Sequence, residues 1–560
     1  MAPAKAPARG LFSAFVLGLL LTAVAALAGD RPPKAAIASA HPLATAAGFE
    51  ILDAGGNAFD AAVAVSAALG VVEPYGSGLG GGGFWLLHRA ADGREVVLDG
   101  RERAPFAAHR DMYLDEQGRF VPERALNGPL AAAIPGQPAA LAWLAERYGR
   151  LPLAQTLAPA VRLAREGFPA DEPYRRFAAW RLPVLRDSPA AAAQLLADGE
   201  VPALGALIRQ PDLAETLDRL GREGHAGFYA GPFAQRLVAE VRAAGGIWTL
   251  EDLAAYRIVE RAPVVGHYRG WRLVSAAPPS SGGVLLVQML NMLSGFDLDG
   301  LDGAGRAHLL AEVMRRAYRD RAVYLGDPDQ VEIPLDRLTH PYYAAGLARD
   351  IDPRRATPHL PGAAASEGRQ TSHFSILDRE GNRVAATLSI NYPFGSGFVP
   401  PGTGVLLNDE MDDFSAQPGA ANVYGLVGGE ANAIAPGKRM LSSMTPSFVE
   451  SEQGVAILGT PGGSRIITMV LHAVLALAEG EGPQTWVARP RLHHQYLPDE
   501  IQHEPDALTP DEREDLELRG HRLREVPEGF GNMQAVYWDR LRDRVDAASD
   551  PRGIGAAEVR

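Results

Sequence analysis

The sequence predicts a layered α+β fold, and three observations carry that expectation. Long amphipathic and apolar helical patterns dominate the chain before residue 370, short strand patterns dominate it afterwards, and no internal repeat relates the two parts. With 560 residues, 47% of them hydrophobic and 22% charged, the chain has ample apolar surface for a core.

The elements follow in order. From His41, "HPLATAAGFEILDAGG" has helical periodicity and closes at a glycine pair. "NAFDAAVAVSAALGVV" comes next, with Asn57 or Asp60 at its start and Ala and Val through its body, the pattern of a buried helix. "EPYGSGLGGGGFWLLHRA" is a glycine loop running into an apolar strand. Gly78, Gly80 and Gly83 match G-x-G-x-x-G, but a dinucleotide site needs strand, glycines, then helix. Here the order is helix, glycines, strand, so these glycines signal close backbone approach instead. Residues 141–246 read as mostly helical. "WRLVSAAPPSSGG" is a strand ending in a turn, followed by the helices "VLLVQMLNMLSG" and "AHLLAEVMRRAYRDRAVYLG".

"DPRRATPHLPGAAASEGRQ" is a Pro-, Ala-, Ser- and Gly-rich linker that ends at Gln370. Beyond it, "TSHFSILD", "RVAATLSI", "GVLLND", "SFVESEQGVAILGT" and "MQAVYWD" read as strands, and "SRIITMVLHAVLALAEG" as an apolar helix.

Several function classes fall away. A net charge of −13 and the lack of any dense Lys/Arg run argue against nucleic acid or anionic membranes as partners. Without cysteine there are no disulfides, thiolate nucleophiles or Cys-ligated metals. His493-His494 has neither H-x-x-x-H spacing nor a third ligand nearby, so no metal is assigned. Ser280-Ser281 lacks the G-x-S-x-G frame of a serine elbow. At the N-terminus, Lys5 and Arg9 precede an apolar run from Leu11 to Ala28, and Ala26-Leu27-Ala28 fits a cleavage site. Residues 1–28 therefore read as a signal peptide, with an uncleaved anchor as the alternative, and the mature protein is expected in the periplasm or outside the cell.

One hairpin carries chemistry. Its turn, "DREGN", is centred near Glu380, which sets Thr371 opposite Ser389, with Asn391 two residues on along the same face. A threonine hydroxyl needs a base. If Thr371 were the first residue of a chain, its own α-amine, with a pKa of about 7.7–8.0, could serve. That requires a cut between Gln370 and Thr371, which Thr371 itself could make by attacking the Gln370 carbonyl. From the hairpin alone, Thr371 and Ser389 read as ordinary strand residues, since threonine is common in strands.

The segment from "QTSHFSILDREGNRVAATLSINYPFGSG" through "MLSSMTPSF", with "GTPGGSRII", "RPRLHHQYLPDE" and "DPR" after it, resembles the γ-glutamyltransferase (γ-glutamyltranspeptidase) family of N-terminal-nucleophile hydrolases. Upstream, "ATAAGFEILDAGGNAFDAAVAV", "GLGGGGF", "GRERAP", "GIWTLEDLAAY", "PPSSGG" and "YLGDPD" match in the same order, from about Ala35 to the C-terminus.

The resemblance implies a four-layer αββα sandwich made of a large subunit, residues 29–370, and a small one, residues 371–560, held as a heterodimer. It implies Thr371 as nucleophile, Ser389 as its supporting hydroxyl, and Gly462 and Gly463 as oxyanion hole. Arg101, Ser442 and Ser443 would clamp a substrate α-carboxylate. Asn391, Glu410 and Asp413 would hold its α-ammonium, and Tyr424 would sit on a lid. The implied reaction takes the γ-glutamyl group from glutathione or a related compound to water, an amino acid or a dipeptide, with no cofactor. An acylase of the same fold acting on glutaryl side chains is the alternative, and a non-catalytic exported binding protein a more distant one. Relatives often carry other residues at Gly100 and Arg103, which are expected to reshape the pocket wall; Ser389 is often Thr in relatives, and Glu410 is Gln in some.

Overall fold

The computed structural model describes residues 31–358, 371–417 and 421–560. The signal-peptide stretch and Gln370 lie outside the described residues. Two antiparallel sheets face each other between helical layers. The strands of the two sheets are β1 (Ala36–Ser39), β2 (Gly82–Arg89), β3 (Arg94–Gly100), β4 (Val259–Arg261), β5 (Val264–Tyr268), β6 (Trp271–Ser275), β7 (Ser372–Leu377), β8 (Arg383–Ser389), β9 (Ser447–Glu450), β10 (Gly454–Gly459), β11 (Gln534–Asp539), β12 (Arg544–Ser549) and β13 (Ala556–Val559). The first sheet runs β13-β1-β7-β8-β2-β3-β4 and the second β12-β11-β10-β9-β6-β5. Strands from before and after residue 371 are thus neighbours in both sheets.

Period-two alternation builds the layers. In β2, Phe84 and Leu86 pack between the sheets with Val274, Phe448, Ile457 and Val536. Trp85 and Leu87 point the other way, into the helical layer. That layer includes α1 (Pro42–Asp53), α2 (Ala58–Val72), α3 (Gln137–Arg147), α4 (Leu153–Glu166), α5 (Glu172–Asp187), α6 (Pro211–Glu223) and α7 (Gly231–Ala243). On the second sheet lie α8 (Gly282–Leu293), α9 (Gly303–Tyr324) and α10 (Ile466–Ala478).

Helix α2 begins as its sequence suggests. The Asn57 side chain accepts from the Phe59 and Asp60 N–H groups, and Asp60 accepts from the Asn57 N–H, a capping box. Asp378 ties that helix to the key hairpin. Its Oδ2 accepts from Ala58 N at 2.9 Å, and its Oδ1 accepts from Glu380 N and Asn382 N. This carboxylate-centred turn, with Gly381 at φ +92°, sets the register of β7 against β8.

Two expectations need correction. "GVLLND" forms no strand: Gly404 sits at φ +66°, and only Leu407 bridges to a neighbour, Gly80. The Asn408 side chain takes over the ladder's role, donating to Gly80 O and Ala133 O and accepting from Ala133 N. The sheet edge was also unanticipated. The short strands β1 and β13 pair with each other, and Ala35 and Arg560 exchange backbone hydrogen bonds just beyond them.

Candidate active site

The hairpin pairs Leu377 with Arg383 and Ser372 with Leu388, so one further step sets Ser389 across from Thr371, as the turn position predicts. Ser389 is also paired with Gly82, and Gly83 with Gly100. One end of the first sheet therefore collects Thr371 before β7, Ser389 at the end of β8 and Arg101 just past β3. Thr371 is 8% exposed.

After Ser389 the chain turns sharply. Asn391 adopts φ +73°, a left-handed conformation that asparagine tolerates better than most residues. Its N–H donates to Ser389 Oγ at 2.8 Å, and its Nδ2 to Asp409 O at 3.0 Å. The Tyr392 N–H donates to Asp409 Oδ1. A short 3₁₀ turn, Glu410–Asp413, then presents both of the expected ammonium-binding carboxylates.

Those carboxylates meet Arg101. Its Nη1 donates to Glu410 Oε2 at 2.6 Å, its Nη2 to Asp413 Oδ2, and its Nε to Met440 O at 3.2 Å. Glu102 Oε2 lies 3.4 Å from the same guanidinium. Burial works against the Arg101 charge, yet Glu410, Asp413 and Glu102 together raise its pKa above the ordinary range. Burial pushes the Glu410 carboxyl well up, against the pull of Arg101, with Glu102, Asp413 and Asp409 adding repulsion. Burial likewise pushes Glu102 up to about 7. Glu410 Oε1 has no hydrogen-bond partner among the described residues.

The serine pair rests on the "PPSSGG" turn. Ser442 N donates to Pro279 O and Ser281 N to Ser442 O, both at 2.8 Å. Ser280 Oγ donates to Met444 O and Ser281 Oγ to Ser442 O. Sequence reasoning saw only a turn there. It also missed Arg321 of α9, which donates to Ser281 Oγ at 3.0 Å and to Ser443 Oγ at 3.2 Å. Burial lowers the Arg321 pKa to about 10.

Gly462 and Gly463 form the turn from β10 into α10, at φ +140° and +57°. A Cβ on Gly463 would lie 2.5 Å from Tyr424 Cδ1, so only glycine lets the aromatic ring rest on this turn. Tyr424 is pinned from three sides. Its OH donates to Asn391 O at 2.7 Å, its N–H to Asn422 Oδ1, and its carbonyl accepts from Gln495 Nε2 at 3.0 Å. Asn422 Nδ2 donates to Asp413 Oδ1, and Val423 N to Asp412 Oδ2. Gln495, part of a stretch read as structural, thus holds the loop over the site.

One small, closely lined cavity results. Arg101, Thr371, Ser389, Asn391, Glu410, Asp413, Tyr424, Ser442, Ser443 and Gly463 all line it, with Leu426, Met444 and Ile466 as apolar walls. Gly462 stands behind Gly463, outside the lining. Gly100 and Arg103 do not line it either. The Arg103 side chain runs off to Gly437 O and Ala255 O, so the expected reshaping of the wall does not arise through contact.

Neighbouring histidines offer no base. His373 is buried against Thr387 and Ser375, and burial holds its pKa near about 3. His493 and His494 are buried beside Gln495 and Asp499, their pKa values also lowered by burial. The arrangement suits a small zwitterion. It combines a guanidinium, carboxylates, hydroxyls, a glycine turn at a helix start and a threonine at the rim.

The comparisons with known proteins agree with this geometry. The family model described as Gamma-glutamyltranspeptidase matches residues 44–559. The Glutathione hydrolase proenzyme of Escherichia coli (strain K12) is 41% identical over 533 residues, 94% of this chain and 91% of that protein. The Acylase ACY 1 proenzyme of Pseudomonas sp. (strain SE83) is 37% identical, covering 89% of each. Among solved structures, the cephalosporin acylase from Bacillus halodurans superposes with a TM-score of 0.83 at 28% identity, over 94% of this chain and 96% of that one.

Proposed function

The chain belongs to the gamma-glutamyltranspeptidase family, and from that premise we propose how its residues carry the reaction. It is a glutathione hydrolase and γ-glutamyltransferase with the N-terminal-nucleophile hydrolase fold, made as a proenzyme and processed into a two-subunit enzyme that acts on small molecules. The cut falls between Gln370 and Thr371. Thr371 Oγ attacks the Gln370 carbonyl, the amide nitrogen leaves as the Thr371 α-amine, and water hydrolyses the ester. Residues 29–370 and 371–560 then stay together as a heterodimer, a reading supported by the neighbouring strands that the two parts contribute to both sheets.

In turnover, the Thr371 amine takes the proton from Thr371 Oγ, which attacks the γ-carbonyl of the substrate. The N–H groups of Gly462 and Gly463 stabilise the oxyanion, and Ser389 supports the nucleophile. Arg101, Ser442 and Ser443 take the α-carboxylate. Asn391, Glu410 and Asp413 take the α-ammonium. Tyr424 covers the bound group and excludes water. The leaving amine departs with the proton, and water or an acceptor amine takes the acyl group from the Thr371 ester. Processing happens to an exported chain. Among the described residues no helix is long and apolar enough to cross a membrane.

The observation that carries the reading is the single cavity lined by Thr371, Arg101, Glu410 and Asp413 together. A glutaryl acylase is the second reading, favoured by the likeness to the acylases. Its substrates lack the ammonium, and leaving buried Glu410 Oε1 and Asp413 without that partner costs on the order of 2–5 kcal/mol. Purified protein should run as two fragments on a denaturing gel, the smaller beginning at Thr371, and should hydrolyse γ-glutamyl anilides far faster than glutaryl anilides. A single uncut chain with full activity overturns the mechanism. Comparable turnover of both anilides overturns the preference.

A further inference from the structure

Arg321, in the last turn of α9, is 5% exposed, and no carboxylate lies within ion-pair distance of it among the described residues. A buried cation without a counter-ion is costly. The negative end of the helix dipole offsets part of that cost. The rest falls to two hydroxyls: Nε donates to Ser281 Oγ at 3.0 Å and Nη2 to Ser443 Oγ at 3.2 Å. Tyr318, on the same face of α9, donates to Ser464 O beside the glycine turn, so this face is fixed against the site at two points.

A guanidinium has only donors, so each hydroxyl it touches accepts and must place its own proton elsewhere. Ser281 gives its proton to Ser442 O at 2.7 Å. Ser443 lines the substrate cavity, and no acceptor takes its hydroxyl proton among the described residues. Ser442 Oγ also lines the cavity and accepts from Met444 N at 3.1 Å. Both hydroxyl protons are thereby left for an anion in the cavity. The charges point the same way. Arg101 is already offset by Glu410 and Asp413, whereas Arg321 meets only neutral hydroxyls. With a pKa of about 10, Arg321 stays charged near pH 7, close enough to feel both Arg101 and Asp413.

We propose that Arg321 is a positioning residue for donor recognition: it turns the Ser443 hydroxyl proton into the cavity and supplies positive charge that no carboxylate offsets, so that the enzyme selects substrates with a free α-carboxylate. The inference rests on the γ-glutamyl reading above and adds to it a residue outside the cavity lining. Arg321 acts on the bound carboxylate through Ser443 and not by contact.

The test uses the processed enzyme and two donors that differ at one group, a γ-glutamyl anilide and the same anilide with its α-carboxylate converted to an amide. Arg321→Gln, which keeps a hydrogen-bond donor and removes the charge, should raise KM for the acid donor by about tenfold or more, the worth of a hydrogen bond to a charged group. Its kcat should stay within about threefold, because the interaction is already made in the ground state. For the amide donor, kcat/KM should change by less than about twofold, since a neutral group gains little from the charge. Arg321→Lys keeps the charge and loses the planar fork, so KM for the acid donor should rise only about threefold. In a Ser443→Ala background that smaller shift should disappear. A residue that merely braced the fold would lower kcat/KM for both donors alike. Equal losses for both donors, an unchanged KM for the acid donor, or an Arg321→Lys shift that persists without the Ser443 hydroxyl overturns the inference. If Arg321→Gln yields no processed enzyme, the Arg321→Lys and Ser443→Ala cycle decides the matter alone. Failure of the wild-type chain to turn over the acid donor overturns the γ-glutamyl reading and this inference with it. Normal wild-type turnover with variants blind to the donor's charge overturns the inference alone.

Discussion

Arg101 donates to Glu410 at 2.6 Å and also to Asp413, so the charge expected to meet a substrate carboxylate and the charges expected to meet its ammonium hold one another inside one cavity. The pairing ties buried Arg101 and Glu410 and partly buried Asp413 into one ionic cluster. A zwitterion can enter by offering each of them its opposite.

Breaking that balance from one side is costly. Arg101→Ala strands Glu410, Asp413 and Glu102 in a buried site, so it should lower stability by about 3–5 kcal/mol as well as abolish γ-glutamyl turnover. Glu410→Gln retains a polar partner and should lose far less. Denaturant unfolding of the single and double variants checks this, and the Arg101/Glu410 pair should be markedly non-additive.

Ser389 serves two neighbours, accepting from Asn391 N and lying across from Thr371. Ser389→Ala should slow both self-cleavage and turnover by about tenfold or more, while Ser389→Thr, which keeps the hydroxyl, should stay near wild type. Time courses on denaturing gels and anilide kinetics read the two steps separately.

The lid and the glycine turn share a surface. Gly463→Ala drives a Cβ against the Tyr424 ring and places alanine at φ +57°, so kcat should fall by about a hundredfold. Tyr424→Phe loses only the hydrogen bond to Asn391 O, about 1 kcal/mol, and should raise the donor KM about fivefold.

Asp412 makes stability depend on pH. Burial pushes its carboxyl up to about 7, only partly offset by the Val423 N–H. The folded chain therefore binds this proton more tightly than the unfolded chain does. The associated stability is full below about pH 4 and is lost as pH rises through about 7. Between pH 5 and pH 8 the wild type should lose more stability than Asp412→Asn, whose side-chain oxygen still accepts from Val423 N. Unfolding curves at the two pH values decide the point.

Local patterns were readable where local physics sets them. The Asn57 cap, the buried run of α2 and the β7–β8 register follow from side chains within a few residues of one another. "GVLLND" misled because its short apolar run, Val405-Leu406-Leu407, mimics a strand, while Gly404 and the Asn408 side chain divert the backbone to non-strand partners. The short strands β1 and β13 carry too few residues to announce themselves, and they exist because chain ends more than 500 residues apart pair with each other.

The site divides in the same way. Resemblance supplied its residue types, but Arg321 and Gln495 were missed because their roles depend on what folds against them. The sequence by itself determined the hairpin that sets Thr371 opposite Ser389, because a turn and a period of two fix such a pairing locally. Only the tertiary structure decided that Arg101 would be held by Glu410 and Asp413, and that Thr371 would line the same cavity. Those relationships span up to about 300 residues and arise from the layering of two sheets, which no local spacing encodes.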